Sequence, residues 1–200
     1  MKKALRGNFK RCSWVDLNSD IYIEYHDNEW GVPVHDDDIL FEMLVLESFQ
    51  SGLSWITILK KREDFRKAFD NFDANKISKY DDLKKEELLQ NKNIIRNRLK
   101  IEATVNNAVI FLQIQKEFGS FSKYLWAFSD NKVVINNNNK KSTASDLSDV
   151  VSEDFKKRGM KFIGPVTIYA YLQSVGIVND HDIDCFMNLQ QDNNKINMNI

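Results

Sequence analysis

The chain has 200 residues, 42% of them hydrophobic and 13 of them Phe, which is enough to bury a sizeable core and excludes wholesale disorder. No apolar run approaches the roughly 18–20 residues of a membrane span, and the start MKKALRGNFKRC lacks the apolar stretch of a secretory signal. A cytoplasmic protein is therefore expected, with two cysteines that form no disulfide framework and stay available for metal or chemistry.

The net charge of −1 is unevenly placed. Residues 1–11 carry five basic side chains and no acid, and residues 12–47 carry ten acids and no Lys or Arg. The remainder carries 23 basic and 19 acidic groups. The totals alone fit a solvated surface of uneven charge, yet they leave room for a local positive face that meets a polyanion.

In chain order the elements read as helices. Asp36, Asp37 and Asp38 are candidate caps for a helix with Ile39, Leu40, Met43, Leu44 and Leu46 as its stripe, ended by Gly52. Ser54 opens a second helix around Trp55, Ile58, Leu59, Phe65 and Phe69, and a short amphipathic piece follows Asp81. The longest segment runs from about Asn93 to Phe118, where Gly119 stops it. Ser120 to Phe128 adds a short helix, and Lys132 to Ile135 is the one tempting strand, too little for a sheet. A helix from Ser145 ends at Lys156, Lys157, Arg158 and Gly159. Pro165 takes the first position of the next, over Val166 to Val175, and Gly176 closes it. The reading is one compact all-α domain over 1–189, with residues 1–11 as a basic extension and 190–200 as a polar, disordered tail. The Asn-rich run from Asn136 to Asn139 carries no function.

Cys12 and His26 lie near one end of the chain, and His181 and Cys185 near the other. The second pair, four residues apart, shares a face on a helical turn. Two thiolates and two imidazoles suit a closed tetrahedral Zn²⁺ site of structural type. The same spacing also arises by chance, and Cys12 also reads as a small buried hydrophobe.

The segment from Tyr22 to Pro33, YIEYHDNEWGVP, closely resembles the signature of the DNA-3-methyladenine glycosylase I family. So do LESFQSGLSWIT from Leu46 to Thr57 and LKKRE from Leu59 to Glu63. NIIRNR from Asn93, KKRGMKFIGP from Lys156 and GIVNDH from Gly176 complete the set, in the family's order. The resemblance spans about Cys12 to Cys185. It implies a helix-hairpin-helix fold, base-excision repair of alkylated DNA and hydrolysis of the N-glycosidic bond of 3-methyladenine without strand cleavage. It implies one structural zinc per chain on Cys12, His26, His181 and Cys185, stapling the two ends of the domain. The partners implied are double-stranded alkylated DNA and free 3-methyladenine as product; independently of the resemblance, no membrane partner and a monomeric protein are expected.

The same resemblance assigns the base pocket to Tyr25, Glu47 and Trp55, with Trp14 lining a wall. An extruded purine needs an aromatic floor and a hydrogen-bonding reader. Trp55 and Tyr25 are expected to sandwich the base, and an aromatic face also attracts a cationic alkylated purine. Glu47, the expected catalytic carboxylate, accepts from the exocyclic amine and opposes positive charge. Without the resemblance, Trp55 reads as core, Tyr25 as packed with its hydroxyl on backbone, and Glu47 as a capping or ion-paired residue. Trp30 reads as core. The hairpin from Gly159 to Gly164 is expected to meet a phosphate through Lys161 and the backbone of Gly164, Val166 and Thr167. Read alone, it is an ordinary helical corner with a basic face.

Three other readings remain. One is a glycosylase for another alkylated base. A zinc-stapled interaction or DNA-binding module without catalysis is a second. The third is a sequence-specific helix-turn-helix protein, which the apolar residues Val166, Ile168, Ala170, Tyr171 and Leu172 speak against.

Overall fold

The structure, a computed structural model, describes residues 9–136 and 142–188. Most of the basic extension, part of the Asn-rich run and the polar tail lie outside the described residues. Nine α-helices are described: α1 Asp20–Asn28, α2 Asp37–Gln50, α3 Trp55–Ala68, α4 Ala74–Ile77, α5 Asp82–Gln90, α6 Arg98–Phe118, α7 Phe121–Ala127, α8 Asp146–Lys157 and α9 Pro165–Ser174. A short 3-10 turn, Asp70–Phe72, joins α3 to α4. No described helix is long and apolar enough to cross a membrane.

The expected start and stop residues act as expected at most helix ends. Asp36 accepts from the N–H groups of Asp38 and Ile39, Asp81 from Lys84, and Ser120 from Lys123. Ser145 forms a reciprocal capping box with Ser148. Pro165 occupies the first turn of α9 behind Gly164. The long helix starts later than its apolar pattern suggests. Asn97 caps it on Lys100 N–H, so Asn93, Ile94 and Ile95 lie in the preceding turn, where Ile94 is buried without being helical.

Helix α2 is the centre of the packing. Ten consecutive residues, Leu40 to Phe49, are buried, and the helix contacts α3, α6, α7 and α9. A helix covered on every side needs no single apolar stripe. The core joins Phe41 to Phe111 and Phe49 to Phe65 and Phe69 at centroid separations of 4.8, 4.9 and 5.8 Å. One small sheet forms after all. Val134–Ile135 (β1) pairs in parallel with Val178–Asn179 (β2). The expectation of too little sequence for a sheet failed because β2 supplies a partner only two residues long.

The stretch after α1 is clamped to the end of α9. Gly31 N–H donates to Gln173 C=O and Val34 N–H to Val175 C=O, each at 3.0 Å. Gly176, at φ +75°, lies so close that an added Cβ would sit 2.3 Å from the carbonyl carbon of Val32. Backbone cannot retreat there as a flexible side chain would. We expect Gly176→Ala to lose on the order of 3 kcal/mol in thermal denaturation. Gly52→Ala, at φ +84° with open space around the new methyl group, should lose only about 1 kcal/mol. Equal losses would show that the close approach to Val32 is not the cause.

Candidate functional site

Two neighbouring residues of α1 point to two different sites. Successive side chains on a helix are turned about 100° apart, so Tyr25 and His26 are both buried but on different faces. Tyr25 meets α3, where its ring lies 5.3 Å from that of Trp55. His26 meets the C-terminal segment, 5.0 Å from the ring of His181.

On the His26 side, Cys12, His26, His181 and Cys185 are all buried, and their ligand atoms lie within 4.8 Å of one another. Cys12 Sγ is 3.3 Å from His181 Nδ1, and Cys185 Sγ is 3.4 Å from His26 Nε2 and 3.5 Å from His181 Nδ1. These edges match a tetrahedron of about 2.0–2.3 Å metal–ligand bonds. The Cys185 thiol is held low by hydrogen bonding with Cys12 and with both imidazoles, while sharing with Cys185 and burial push Cys12 up.

The surroundings fix the ligands. His26 Nδ1 is 2.8 Å from Asp27 Oδ1, leaving Nε2 directed at the cluster. Arg11 holds Asp27 through Nε at 2.8 Å and Nη2 at 2.7 Å. His181 Nε2 lies 3.2 Å from Trp30 C=O, leaving Nδ1 inward. The N–H groups of Asp182 and Met187 donate to the sulfurs of Cys12 and Cys185 at 3.3 and 3.4 Å. Gly31, at φ +77°, gives His181 its room, since a Cβ would come within 2.8 Å of Nε2. The donor set therefore fits a soft tetrahedral cation.

The basic extension is shorter than its composition suggests. Lys10 C=O accepts from Phe186 N–H, Lys10 pairs with Asp184, and Arg11 lies against Asp27 and the Phe186 ring. Its last residues are built into the cluster. The sequence signal available was the acid at position 27, directly beside a candidate imidazole ligand.

On the Tyr25 side, Glu47 is 4% exposed. Burial alone pushes its carboxyl up to about 8, with no hydrogen bond or cation opposing. The nearby Glu47 charge in turn contributes to holding the Tyr25 phenol well above its ordinary value, after burial itself. Trp55 is half-buried, and its indole Nε1 is buried without a partner. Trp14 packs against Tyr25, His26 and Trp30 at 6.4, 5.4 and 5.0 Å, so it bridges both sites. Trp30 is buried as expected but also faces the cluster, 4.5 Å from His181.

Two features bear on the expected base pocket. A purine between parallel rings needs them roughly 7 Å apart. Tyr25 and Trp55 touch at 5.3 Å with planes inclined by 51°, as adjoining walls that a base would have to part in order to lie between them. Burial also raises the Glu47 carboxyl to about 8, so a negative charge there is disfavoured near neutral pH.

The hairpin residues form a separate group. Lys161 and Val166 are exposed, and Gly164 and Thr167 are half-exposed at the start of α9. Val166 therefore does not join Ile168, Tyr171 and Leu172 in the core, contrary to the apolar pattern. Gly164 has no neighbour within 4 Å of an added Cβ, and no side chain caps α9. Asp180 and Asp182 are occupied elsewhere, by Asn136, Tyr169 and Gln173 and by Ser13 N–H respectively. Lys100 gave no sequence signal. It is buried, and Nζ donates to Phe49 C=O at 2.8 Å and Ser51 C=O at 2.7 Å, closing the end of α2 that carries Glu47.

A family model described as methyladenine glycosylase matches residues 14–188. A DNA-3-methyladenine glycosylase of Haemophilus influenzae is 46% identical over 178 residues, covering 88% of this chain and 96% of the relative. A crystal structure of 3-methyladenine DNA glycosylase I superposes with a TM-score of 0.86 at 44% identity, covering 90% of this chain and 100% of the other. A structure of the Staphylococcus aureus 3-methyladenine DNA glycosylase I, concerned with 3-methyladenine recognition, gives 0.85 at 36% identity over 91% and 98%.

The Glu47 carboxyl makes stability depend on pH. Its folded pKa is raised, so the stability it contributes is fully present below the ordinary value of 4.5 and is lost as pH rises towards about 8. Glu47→Gln lacks that loss. The variant should melt close to wild type at pH 4.5 and above it at pH 8, by roughly 5 °C or more. A difference in melting temperature that stays constant with pH would show that Glu47 ionises normally.

Proposed function

This chain belongs to the methyladenine glycosylase family, and from that premise we propose that it excises 3-methyladenine from alkylated DNA in base-excision repair. The observation that carries the reading is a set of neighbouring polar groups at Tyr25, Glu47 and Trp55 that have a shape but no internal partners. Buried polar groups are normally satisfied within a fold. Left open together, they suit a ligand with aromatic faces and donors and acceptors at its edge.

The base reaches such a pocket only after leaving the duplex stack. The aromatic walls of Tyr25 and Trp55, with Trp14 behind Tyr25, contact its faces and edge. A purine alkylated on N3 within DNA carries positive charge. Its arrival favours the ionised form of Glu47, which then accepts from the exocyclic amine and opposes that charge. An ordinary neutral purine offers no such compensation, so the cost of ionising a buried Glu47 discriminates against it.

The bond from C1′ to the purine nitrogen breaks, and its electron pair leaves with the base, which becomes neutral. Water attacks C1′ and loses a proton. The buried Lys100 amine is engaged by two carbonyl groups, which fits hydrolysis without a Schiff base and without strand cleavage. DNA is held through Lys161 and the free N–H groups of Gly164, Val166 and Thr167, as the hairpin of a helix-hairpin-helix domain. Cys12, His26, His181 and Cys185 would hold Zn²⁺ in a closed four-ligand site, whose contribution would be a structural cross-link.

Chromatography of bases released from methylated duplex DNA tests the activity, with free 3-methyladenine and intact strands expected. No release above the protein-free control overturns it. Excision per unit of free enzyme, kcat/KM, should rise with pH and level off near the Glu47 value of about 8. In Glu47→Gln it should be flat and about ten- to a hundredfold lower.

The metal centre has its own test. Asp27→Asn should weaken Zn²⁺ binding about 10–100-fold, read by competition with a chelator. Affinity at the wild-type level would remove Asp27 and Arg11 from any part in orienting His26.

A further inference from the structure

The hairpin between α8 and α9 is held in shape from outside by three side chains. Asn107, buried on α6, faces one residue with its whole amide: Oδ1 accepts from Lys161 N–H at 2.8 Å and Nδ2 donates to Lys161 C=O at 2.9 Å. Its neighbour Asn106 donates to Gly159 C=O at 2.9 Å. From α8, Ser152 Oγ donates to Ile163 C=O at 2.7 Å.

Between the pinned residues Lys161 and Ile163 lies Phe162, at φ +57° and 37% exposed. A bulky aromatic residue avoids the left-handed region unless its surroundings over-determine it. An amide that grips both sides of the preceding residue does that, because it mimics one rung of a β ladder. The backbone then turns so that Gly164 opens α9 with the N–H groups of Val166 and Thr167 unbonded within the chain.

We infer that Asn107 is a positioning residue for DNA binding: it touches no DNA, and it sets the hairpin so that Lys161 and the start of α9 present donors together to one stretch of phosphate backbone. The inference rests on the proposed contact of this hairpin with DNA. Asn106 plays the same part more weakly, through one bond at the hairpin's first residue.

The test compares two affinities on the same protein. Asn107→Ala should bind duplex DNA roughly tenfold more weakly, the equivalent of one or two lost hydrogen bonds. Its affinity for free 3-methyladenine, which uses the pocket alone, should stay within about twofold. Amide hydrogen exchange should quicken at Lys161, Phe162 and Ile163. Parallel loss of both affinities would indicate a general structural role and overturn the inference. So would wild-type duplex binding by folded Asn107→Ala. Lys161→Ala, made together with Gly164→Pro to disturb the backbone donors, separates the two levels: if that variant too leaves duplex binding unchanged, the DNA contact of the hairpin is itself wrong. If Asn107→Ala does not fold, Asn106→Ala decides. A threefold or so loss of duplex affinity with pocket binding intact supports positioning from α6, and no loss overturns it.

Discussion

A buried carboxyl group without a partner is unfavourable, and Glu47 is one, on a helix whose residues from Leu40 to Phe49 are all buried. The apolar residues around it serve the core, and the same burial that stabilises the fold raises the carboxyl towards about 8. Elsewhere acids meet their complement: Glu42 pairs with Arg62 and Arg66, Asp27 with Arg11, and Asp37 with the N–H groups of Phe121 and Ser122. Glu47 is different: it lies near Tyr25, whose phenol is itself held well above its ordinary value, and it makes no ion pair among the described residues. Glu47 thus stands apart from these paired acids as a buried carboxyl whose raised value has burial as its one cause.

Helix α1 links that site to the cluster at the ends of the chain. It is only nine residues long and carries Tyr25 and His26 side by side. Anything that fixes His26 therefore also fixes the neighbouring ring of the pocket. Arg11 and Asp27 grip His26 from one side, Gly31 leaves room for His181 on the other, and Arg62 ties Glu29 to Glu42 of α2. Trp14 lies across both sites. The cluster is thus tied to the Tyr25 side by packing, through α1 and Trp14.

Much of this was legible from the residues. Caps at Asp36, Asp81, Ser120 and Ser145 and the stop at Gly119 marked helix ends, since their chemistry is local. The pocket set at Tyr25, Glu47 and Trp55 came from the resemblance, and a glutamate within an apolar run already signalled a special position. What escaped lacks a local pattern. Helix α1 buries Tyr25, His26 and Asp27, polar types that leave no apolar stripe. The grips of Arg11 on Asp27, Lys100 on the end of α2 and Asn107 on Lys161 join residues 16 to 54 positions apart. The inclination between the rings of Tyr25 and Trp55 was hidden for a similar reason, because motif identity gives two rings and not the angle between them.

The claim on which the rest depends is that Glu47 is a neutral acid in the free protein at pH 7, ready to ionise for a cationic base. Carbon NMR of the protein labelled at glutamate Cδ, titrated from pH 4 to pH 9 with Glu47→Gln used to identify the signal, measures this directly. A midpoint near 8 is predicted. A midpoint near the ordinary carboxylate value of 4.5 would contradict it, and with it the discrimination assigned to this carboxyl.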